Sequence, residues 1–124
     1  DVVLFDGQGR AHPRRFGLAC HLGIWLDRPS VGCAKSCLCG EYGTIGPERG
    51  ARSALCLEGR RIGTLLRTRE GSKPLVVSVG HRVSLSAAEA LALVCTMCGH
   101  RLPEPLRLAH FLVNRFRQKK EETA

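Results

Sequence analysis

The stretch VVLFDGQGRAHPRR, residues 2–15, decides how this chain folds, because its character changes abruptly after four apolar residues. Val2–Phe5 is short, continuous and rich in β-branched and aromatic side chains, which predicts a fully buried strand. An acid, Asp6, follows at once and leads into a basic loop that contains Gly7 and Gly9. Because ligands of open α/β sheets collect beyond the carboxyl ends of the strands, Asp6 is a candidate ligand-binding residue. The two glycines would let a ligand approach the main chain closely.

The rest of the chain alternates helices and strands around this first strand. A helix-like apolar segment and a second short strand complete a parallel βαβ unit, for which a right-handed crossover is the rule. The sequence around Gly59 and Arg60 predicts a hairpin with a type II′ turn, since glycine stands first in the loop. The order of elements predicts an α/β fold, a mixed sheet with helices packed on it. The predicted ranges are 2–5, 30–34 and 74–79 for single strands, 36–52 for a loop, and 15–26, 84–98 and 103–118 for helices.

The last two helices carry more detailed patterns. The first of them begins with a capping box, in which Ser86 is the N-cap and Glu89 stands three residues later. In the last helix, helical spacing places one apolar stripe beside one polar stripe. The apolar stripe comprises Leu108, Ala109, Leu112, Val113 and Phe116, and the polar stripe comprises Arg107, His110, Asn114 and Arg117.

The composition is that of an ordinary globular chain with a strong positive charge. Its 124 residues suit one domain, which we expect to span residues 1–124. No apolar run approaches the ~20 residues of a membrane span, and no signal-peptide pattern precedes the first strand. We therefore expect a soluble, cytoplasmic protein with no membrane partner. The net charge of +8 favours a polyanionic partner, with nucleic acid ahead of an anionic surface.

Seven cysteines are an odd and high number for a chain of this size. Two interpretations stay open: free thiols that pack as small apolar residues in a reducing cytosol, or a zinc site. The second would draw on Cys33, Cys37, Cys39, Cys95, Cys98 and His100. Their placement in one strand and at one helix end makes the geometry poor for zinc, so buried thiols are the preferred interpretation.

The residues that could perform chemistry gather, by prediction, at one edge of the sheet. Asp6 could bind a hard cation such as Mg²⁺, which prefers oxygen ligands. His110 borders the apolar face of the last helix and could activate water or protonate a leaving oxygen, or could be an ordinary rim histidine. Lys35, just past the second strand, could contact a phosphate or be a strand-end charge. His12 and His21 lie near the same edge and could bind phosphate or only assist packing.

Four blocks in sequence resemble the endonuclease V family: VVLFDGQGRAHPRRFGLACHLG, PSVGCAKSCLCG, KPLVVSVGHRVSL and RLPEPLRLAH. The resemblance covers nearly the whole chain. It implies a ribonuclease H-like fold and a Mg²⁺-dependent nuclease, with Mn²⁺ as a substitute, that acts on deaminated adenine in DNA or RNA. Family members nick the strand at the second phosphodiester bond on the 3′ side of inosine, and leave a 3′-hydroxyl and a 5′-phosphate.

The resemblance also implies roles for individual residues. Asp6 matches a metal ligand of the family, His110 matches an active-site histidine, and Lys35 matches a lysine near the active site. Gly9 and Leu18 match positions that hold the flipped base through main-chain groups. Such recognition explains the glycines, since a base that is read by the backbone needs no intervening side chain.

Some parts of the family pattern are missing from these residues. The other metal carboxylates and a Pro-Tyr-Ile-Pro wedge that opens the duplex lie upstream of the DGQG block in the family. The remaining acids are weak substitutes: Glu41, Glu48, Glu58, Glu70 and, at a helix start, Glu104. We therefore expect the later portion of a nuclease, inactive alone, whose first strand is a bare sheet edge prone to self-association. The alternative is a non-catalytic nucleic-acid-binding module, stabilised by zinc or derived from a degenerate nuclease.

Overall fold

A computed structural model describes residues 1–123, in which a five-stranded mixed sheet is covered by helices. The α/β prediction is confirmed. The strands lie in the order β1-β2-β5-β4-β3. In chain order the elements are β1 (Val3–Phe5), α1 (Leu18–Leu26), β2 (Ser30–Ala34), β3 (Arg52–Leu57), β4 (Arg60–Leu66), β5 (Leu75–His81), α2 (Leu85–Val94) and α3 (Glu104–Thr123).

The first two strands pair in parallel, as predicted, with Val3 opposite Ser30 and Phe5 opposite Gly32. This register brings Asp6 and Lys35, the residues just beyond the two strands, to the same end of the sheet. The prediction of a fully buried first strand was wrong, because Val3–Phe5 is only half-buried. The reason is its position: β1 lies at an edge of the sheet and has one strand neighbour among the described residues.

The sheet has an apolar core on each face, because side chains alternate along each strand. One core contains Val31, Cys33 and Val77 of the sheet together with Ala88 and Ala92 of α2 and Leu106 of α3. The opposite core contains Ala34, Val76, Leu65 and Leu55 of the sheet together with Ala11 of the loop before α1. The loop of residues 6–17 thus packs on this face through Gly9 and Ala11, and it begins at the end of the sheet where Asp6 lies.

Three local details differ from the sequence predictions. The first helix begins at Leu18 rather than near residue 15, since Arg15 has a positive φ of 56°. The hairpin turn contains Glu58 and Gly59, both with positive φ, which is the pattern of a type I′ turn and not of type II′. Helix α2 is capped two residues earlier than expected, by Ser84 instead of Ser86, and the Ser84 Oγ accepts a hydrogen bond from the Ala87 N–H at 3.2 Å.

Glu89 has no part in a capping box. Its side chain is buried, and it accepts hydrogen bonds from Thr64, Arg61 and Arg52 across the sheet. Helix α2 also ends at Val94, before residue 98, while α3 continues beyond residue 118 to Thr123. The hydrogen bonds from Thr64 and Arg61 of β4 thus orient the Glu89 side chain, in place of the contact at the helix start that the capping-box pattern predicted.

The apolar stripe of α3 is exposed over most of its length. Leu106, at its start, is buried against the sheet, whereas the large apolar residues beyond it are about half exposed or more. These are Leu108, Phe111, Leu112, Val113 and Phe116. Among the helices of residues 1–123, none is long and apolar enough to cross a membrane.

Candidate active site

Asp6, Lys35 and His110 meet at the carboxyl ends of β1 and β2. The His110 Nε2 lies 2.5 Å from the Asp6 Oδ2, although the two residues are 104 positions apart in sequence. The Lys35 Nζ lies 3.1 Å from the same imidazole nitrogen and 3.8 Å from the same carboxylate oxygen. All three side chains remain partly exposed. The parallel pairing of β1 with β2 supplies the first two groups, and the second turn of α3 supplies the third.

The contacts of His110 suit two tautomers of its imidazole. When its Nε2 carries a hydrogen, it donates to the Asp6 carboxylate; when it does not, it accepts from the Lys35 ammonium. One nitrogen cannot make both hydrogen bonds at once. Each tautomer therefore has a charged partner at this nitrogen.

Arg101 holds the backbone beside this cluster in place, although the sequence analysis did not identify it. Its guanidinium donates to the backbone carbonyls of Lys35 at 2.9 Å, Pro74 at 3.2 Å and Lys73 at 2.8 Å. Partial burial lowers the pKa of the Arg101 guanidinium from its usual value. These hydrogen bonds join the end of β2 to the start of β5 and hold the Lys35 backbone in place. A lone arginine in a loop gives no sequence signal for such a role.

A cleft of about 410 Å³ opens beside the cluster. It is lined by Asp6, Gly7, Gln8, His12, Leu18, Ala34, Lys35, Ser36 and Leu38. The structure thus places Asp6, Lys35, His12 and Leu18 of the candidate residues around one cavity. Leu18 is half-exposed, and its N–H has no hydrogen-bond partner among the described residues. That N–H stands at the first position of α1, where a helix presents unpaired donors.

Two other candidates lie elsewhere. Gly9 is buried outside the cleft lining, where its N–H donates to the Ser78 Oγ at 2.8 Å and its carbonyl accepts from the Gly17 N–H at 2.9 Å. The close approach that this glycine permits is to the backbone of β5 and not to an open pocket. His21 packs edge-on against Phe16, with ring centroids 5.8 Å apart, and does not line the cleft.

Gln8 belongs to the cleft and was missed as a candidate in its own right. Its Nε2 donates to the Ser36 carbonyl at 2.7 Å, which fixes the orientation of the amide. Its Oε1 is buried and has no hydrogen-bond partner among the residues described. A buried polar atom without a partner is costly. The position of Gln8 between two glycines was the only signal in the sequence.

The possible zinc ligands are not assembled into a site. Within residues 1–123, no group of three or more His, Cys, Asp or Glu residues could hold a metal ion, and all seven cysteines are free thiols. Cys37 donates its thiol hydrogen to the Cys39 carbonyl at 3.0 Å, while Cys98 is exposed. Glu104, the best of the substitute carboxylates, is bound to Arg107, and this hydrogen bond lowers the pKa of Glu104.

Cys33 is expected to resist alkylation by iodoacetamide at pH 8, while Cys98 reacts rapidly. Burial raises the pKa of the Cys33 thiol from 9.0 to about 12, which lowers its thiolate fraction about 10³-fold. Its reactivity should rise only as the pH approaches that value, since the thiolate is the nucleophile. Mass spectrometry of the labelled peptides measures both rates, and the protein unfolded in urea should label both residues. Equal labelling of the two in the native protein would contradict the buried placement of Cys33.

Comparison with known proteins identifies one family. The family model for Endonuclease V matches residues 1–111. The chain belongs to the endonuclease V family. It is 58% identical over 112 residues to the Endonuclease V of Methanothrix thermoacetophila, an alignment that covers 90% of this chain and 50% of that protein. It also is 47% identical over all 124 residues to the Endonuclease V of Myxococcus xanthus, of which it covers 52%.

Solved structures of endonuclease V proteins have the same fold. The Bacillus subtilis protein matches with a TM-score of 0.96 and 31% identity, covering 100% of this chain and 54% of that one. The Ciona intestinalis protein, solved in complex with an inosine-containing DNA, matches with a TM-score of 0.77 and 26% identity, covering 95% and 55%. The chain therefore spans about half the length of the endonuclease V relatives that it matches.

Proposed function

We propose that this chain forms part of a Mg²⁺-dependent endonuclease that nicks nucleic acid at the second phosphodiester bond 3′ to inosine. The observation that carries the proposal is that Asp6, which lines the cleft, contacts His110, with Lys35 beside them. A carboxylate, an imidazole and an ammonium group are the groups that phosphodiester hydrolysis needs for metal binding, proton transfer and phosphate binding. The endonuclease V structure solved with inosine-containing DNA supports the choice of substrate.

Asp6 fits the role of one oxygen ligand for Mg²⁺. Its contacts with His110 and Lys35 both involve Oδ2, so Oδ1 is free of hydrogen bonds among the described residues. Mg²⁺ is commonly held by one or two carboxylates together with water and phosphate oxygens. When bound, the ion would polarise a phosphoryl oxygen and stabilise the charge that develops there. Mn²⁺ is a substitute with similar ligand preference.

His110 and Lys35 have complementary roles in this proposal. His110 exchanges a proton with the attacking water or with the leaving oxygen, and its contacts with Asp6 and Lys35 orient the imidazole. Lys35 contributes a positive charge that binds a phosphate oxygen and offsets the charge of the carboxylate. Its backbone is held by Arg101, which keeps the ammonium group at this end of the sheet.

The base would occupy the cleft beside Leu18. The free N–H of Leu18 is a main-chain donor, and His12 and Gln8 lie in the same lining. The buried Gln8 Oε1 is an additional acceptor that a donor group of the ligand could satisfy after a small movement of the side chain. Gly9 supports this wall through its packing on β5. His21 lies outside the cleft, and its role in substrate binding stays a prediction.

The other parts of the proposal concern these residues as an isolated chain. The described residues bring one carboxylate into the cleft, so we expect residues 1–124 alone to cleave poorly. The unpaired side of β1 is a template for strand pairing, which favours self-association. Seven free thiols suit a reducing compartment, and we therefore place the protein in the cytoplasm.

The test replaces the matching segment of the Methanothrix thermoacetophila protein with this chain and measures cleavage of an inosine-containing strand. We expect cleavage that stops with EDTA and returns with Mg²⁺ or Mn²⁺. Asp6→Asn should lower the rate by roughly 10²–10³-fold, since it removes a ligand charge while it preserves the shape of the side chain.

The matched control is Glu70→Gln, which removes the same charge from an exposed residue outside the cleft lining. It should leave the cleavage rate unchanged. Undiminished cleavage by the Asp6→Asn protein would show that the metal assignment is wrong. Stoichiometric zinc in the purified chain, without cleavage, would favour the alternative of a zinc-stabilised binding module.

A further inference from the structure

A second groove lies on the same face of the sheet as α1, at the end opposite Asp6. Its floor is formed by the end of β5, and its walls are formed by the loop before α1, by α1 itself and by the residues after β5. The lining residues are Arg10, Arg15, Phe16, Cys20, Ile24, Val79, Gly80, His81, Arg82 and Val83. A neighbouring cavity, lined also by Arg61, Ile62 and Leu85, adjoins this groove, because Arg10, Val79 and Val83 line both. Asp6, Lys35 and His110 line neither the groove nor the neighbouring cavity.

Cationic groups outnumber anionic groups around this groove. Arg10 has no side-chain hydrogen bond or ion pair with any described residue, although its backbone N–H is bound to the Val79 carbonyl. One exposed carboxylate, that of Asp27, pairs with two side chains: its Oδ1 lies 2.9 Å from the Arg82 guanidinium and 3.2 Å from the His81 Nε2. Arg15 pairs with an exposed glutamate at 3.3 Å. Exposed ion pairs contribute little stability, so an anionic ligand can replace these partners at small cost.

Apolar and aromatic groups interleave with the arginines. Phe16 is 45% exposed and Ile24 is 52% exposed, so aromatic and aliphatic surface is accessible beside three guanidinium groups, although the Phe16 ring also contacts His21. The Nε of Arg15 is buried and has no hydrogen-bond partner among the described residues. Guanidinium groups bind phosphate through paired hydrogen bonds, and an aromatic ring is a platform on which a base stacks.

The groove is linked to the Asp6 cleft by one short loop. Asp6 lines the cleft and Arg10 lines the groove, and the four peptide units between them span at most about 14 Å. The loop lies flat on the sheet, because Gly9 is in contact with β5. A strand of nucleic acid that passes through the cleft can therefore continue into the groove without leaving the surface.

We propose that this groove binds the phosphodiester backbone of a nucleic-acid strand through Arg10, Arg15 and Arg82, with an unstacked base against Phe16. The inference rests on the proposed function for the identity of its ligand, but it concerns residues that take no part in the chemical step. Phosphate contacts of this kind position a strand and carry no sequence information. The groove therefore holds flanking nucleotides regardless of their sequence, while the cleft recognises the damaged base.

The test measures the binding of the full 124-residue chain to a labelled single-stranded oligonucleotide of about 12 nucleotides that lacks inosine, in EDTA. Affinity is followed between about 50 and 200 mM salt. We expect Arg10→Gln and Arg82→Gln each to weaken binding about fivefold and to reduce the slope of log K against log salt by about 1. Phe16→Ala should weaken binding by a similar factor with an unchanged slope, since stacking releases no counterions.

Arg69→Gln is the matched control, because it removes the same charge from an exposed arginine that lines neither the groove nor the neighbouring cavity. Its effect should be clearly smaller than that of Arg10→Gln, and Arg10→Lys should restore the salt slope. Equal effects of Arg10→Gln and Arg69→Gln would overturn the proposal, as would an unchanged salt slope in Arg10→Gln. Two different assays separate the two proposals: Asp6→Asn should lower the cleavage rate of the hybrid protein by roughly 10²–10³-fold, whereas Arg10→Gln should lower the oligonucleotide affinity and the salt slope of the 124-residue chain, so failure of one does not imply failure of the other.

Discussion

Replacing Glu89 by alanine is expected to lower the free energy of unfolding by about 3 kcal/mol, one of the largest effects of a single substitution in this chain. The Glu89 carboxylate is buried between α2 and the sheet and accepts hydrogen bonds from the Thr64 Oγ1 at 2.5 Å, from Arg61 at 3.1 Å and from Arg52 at 2.9 Å. Its loss leaves the fully buried hydroxyl of Thr64 without its acceptor and two guanidinium groups without their counter-charge.

The size of this effect depends on burial and not on distance. Glu104 and Arg107 make a hydrogen-bonded pair that is just as short, at 2.5 Å, but both side chains are substantially exposed, at 30% and 40%. The Glu89 side chain is 11% exposed. Water replaces the partners of an exposed pair, so Glu104→Ala should lower the free energy of unfolding much less than Glu89→Ala.

Urea-induced unfolding, followed by circular dichroism, measures these differences. Glu89→Gln keeps the shape and one acceptor, and it should lose about half as much stability as Glu89→Ala. It also serves if the alanine variant does not fold. A Glu89→Ala protein as stable as the Glu104→Ala protein would show that the link between α2 and β4 contributes nothing.

Gly9→Ala is the second substitution with a large expected effect, a loss of about 3 kcal/mol. A methyl group at this position would lie 2.3 Å from the carbonyl oxygen of Val79 and 2.7 Å from its carbonyl carbon. Both are backbone atoms of β5, a strand that is paired on both sides in the sheet. The Val79 carbonyl cannot move away without disturbing the pairing of Val79 with Val31 of β2 and the hydrogen bond that it accepts from the Arg10 N–H, so the loop must lift and lose the hydrogen bond from the Gly9 N–H to Ser78.

The neighbouring glycine is the natural control for this prediction. A methyl group on Gly7 would meet the Leu18 side chain at 3.2 Å, and this flexible side chain can rotate away. We expect Gly7→Ala to cost less than about 1 kcal/mol in the same urea experiment. If Gly9→Ala unfolds at the same urea concentration as the unchanged protein, the loop is not packed on β5 as the structure shows. If Gly9→Ala lowers the free energy of unfolding and Gly7→Ala does not, Gly9 stabilises the fold through its close packing on β5.

Much of the fold could be predicted because the information is local. The apolar run at Val2–Phe5 and the β-branched segment at 30–34 have strand composition, and the segment between them is long enough for a crossover. Parallel pairing then requires that Asp6 and Lys35 lie at the same end of the sheet, as the structure shows. The four family-like blocks identified the family, which the comparisons confirm.

Other features depended on neighbours that are distant in sequence. The half-burial of β1 follows from its place at the sheet edge, and the polar contacts of Glu89 follow from β4 lying beneath α2. The hairpin turn was mistaken because the pairing of Leu57 with Arg60 puts Glu58 and Gly59 in the two-residue loop, so glycine stands second in the loop and not first. The exposed stripe of α3 has the same pattern as a buried one, so periodicity alone could not distinguish them.

The amino-acid sequence by itself determined most of the elements and supplied the candidate site residues, because backbone preferences and hydrophobic period act over a few neighbouring positions. Only the tertiary structure decided which of these residues meet. In that structure His110 contacts Asp6, while Gly9 and His21 lie outside the cleft lining. The same structure places Arg10, Phe16 and Arg82 in one groove. The physical reason is that contacts across the sheet are selected by the packing of the whole chain, where burial and close approach outweigh any local preference.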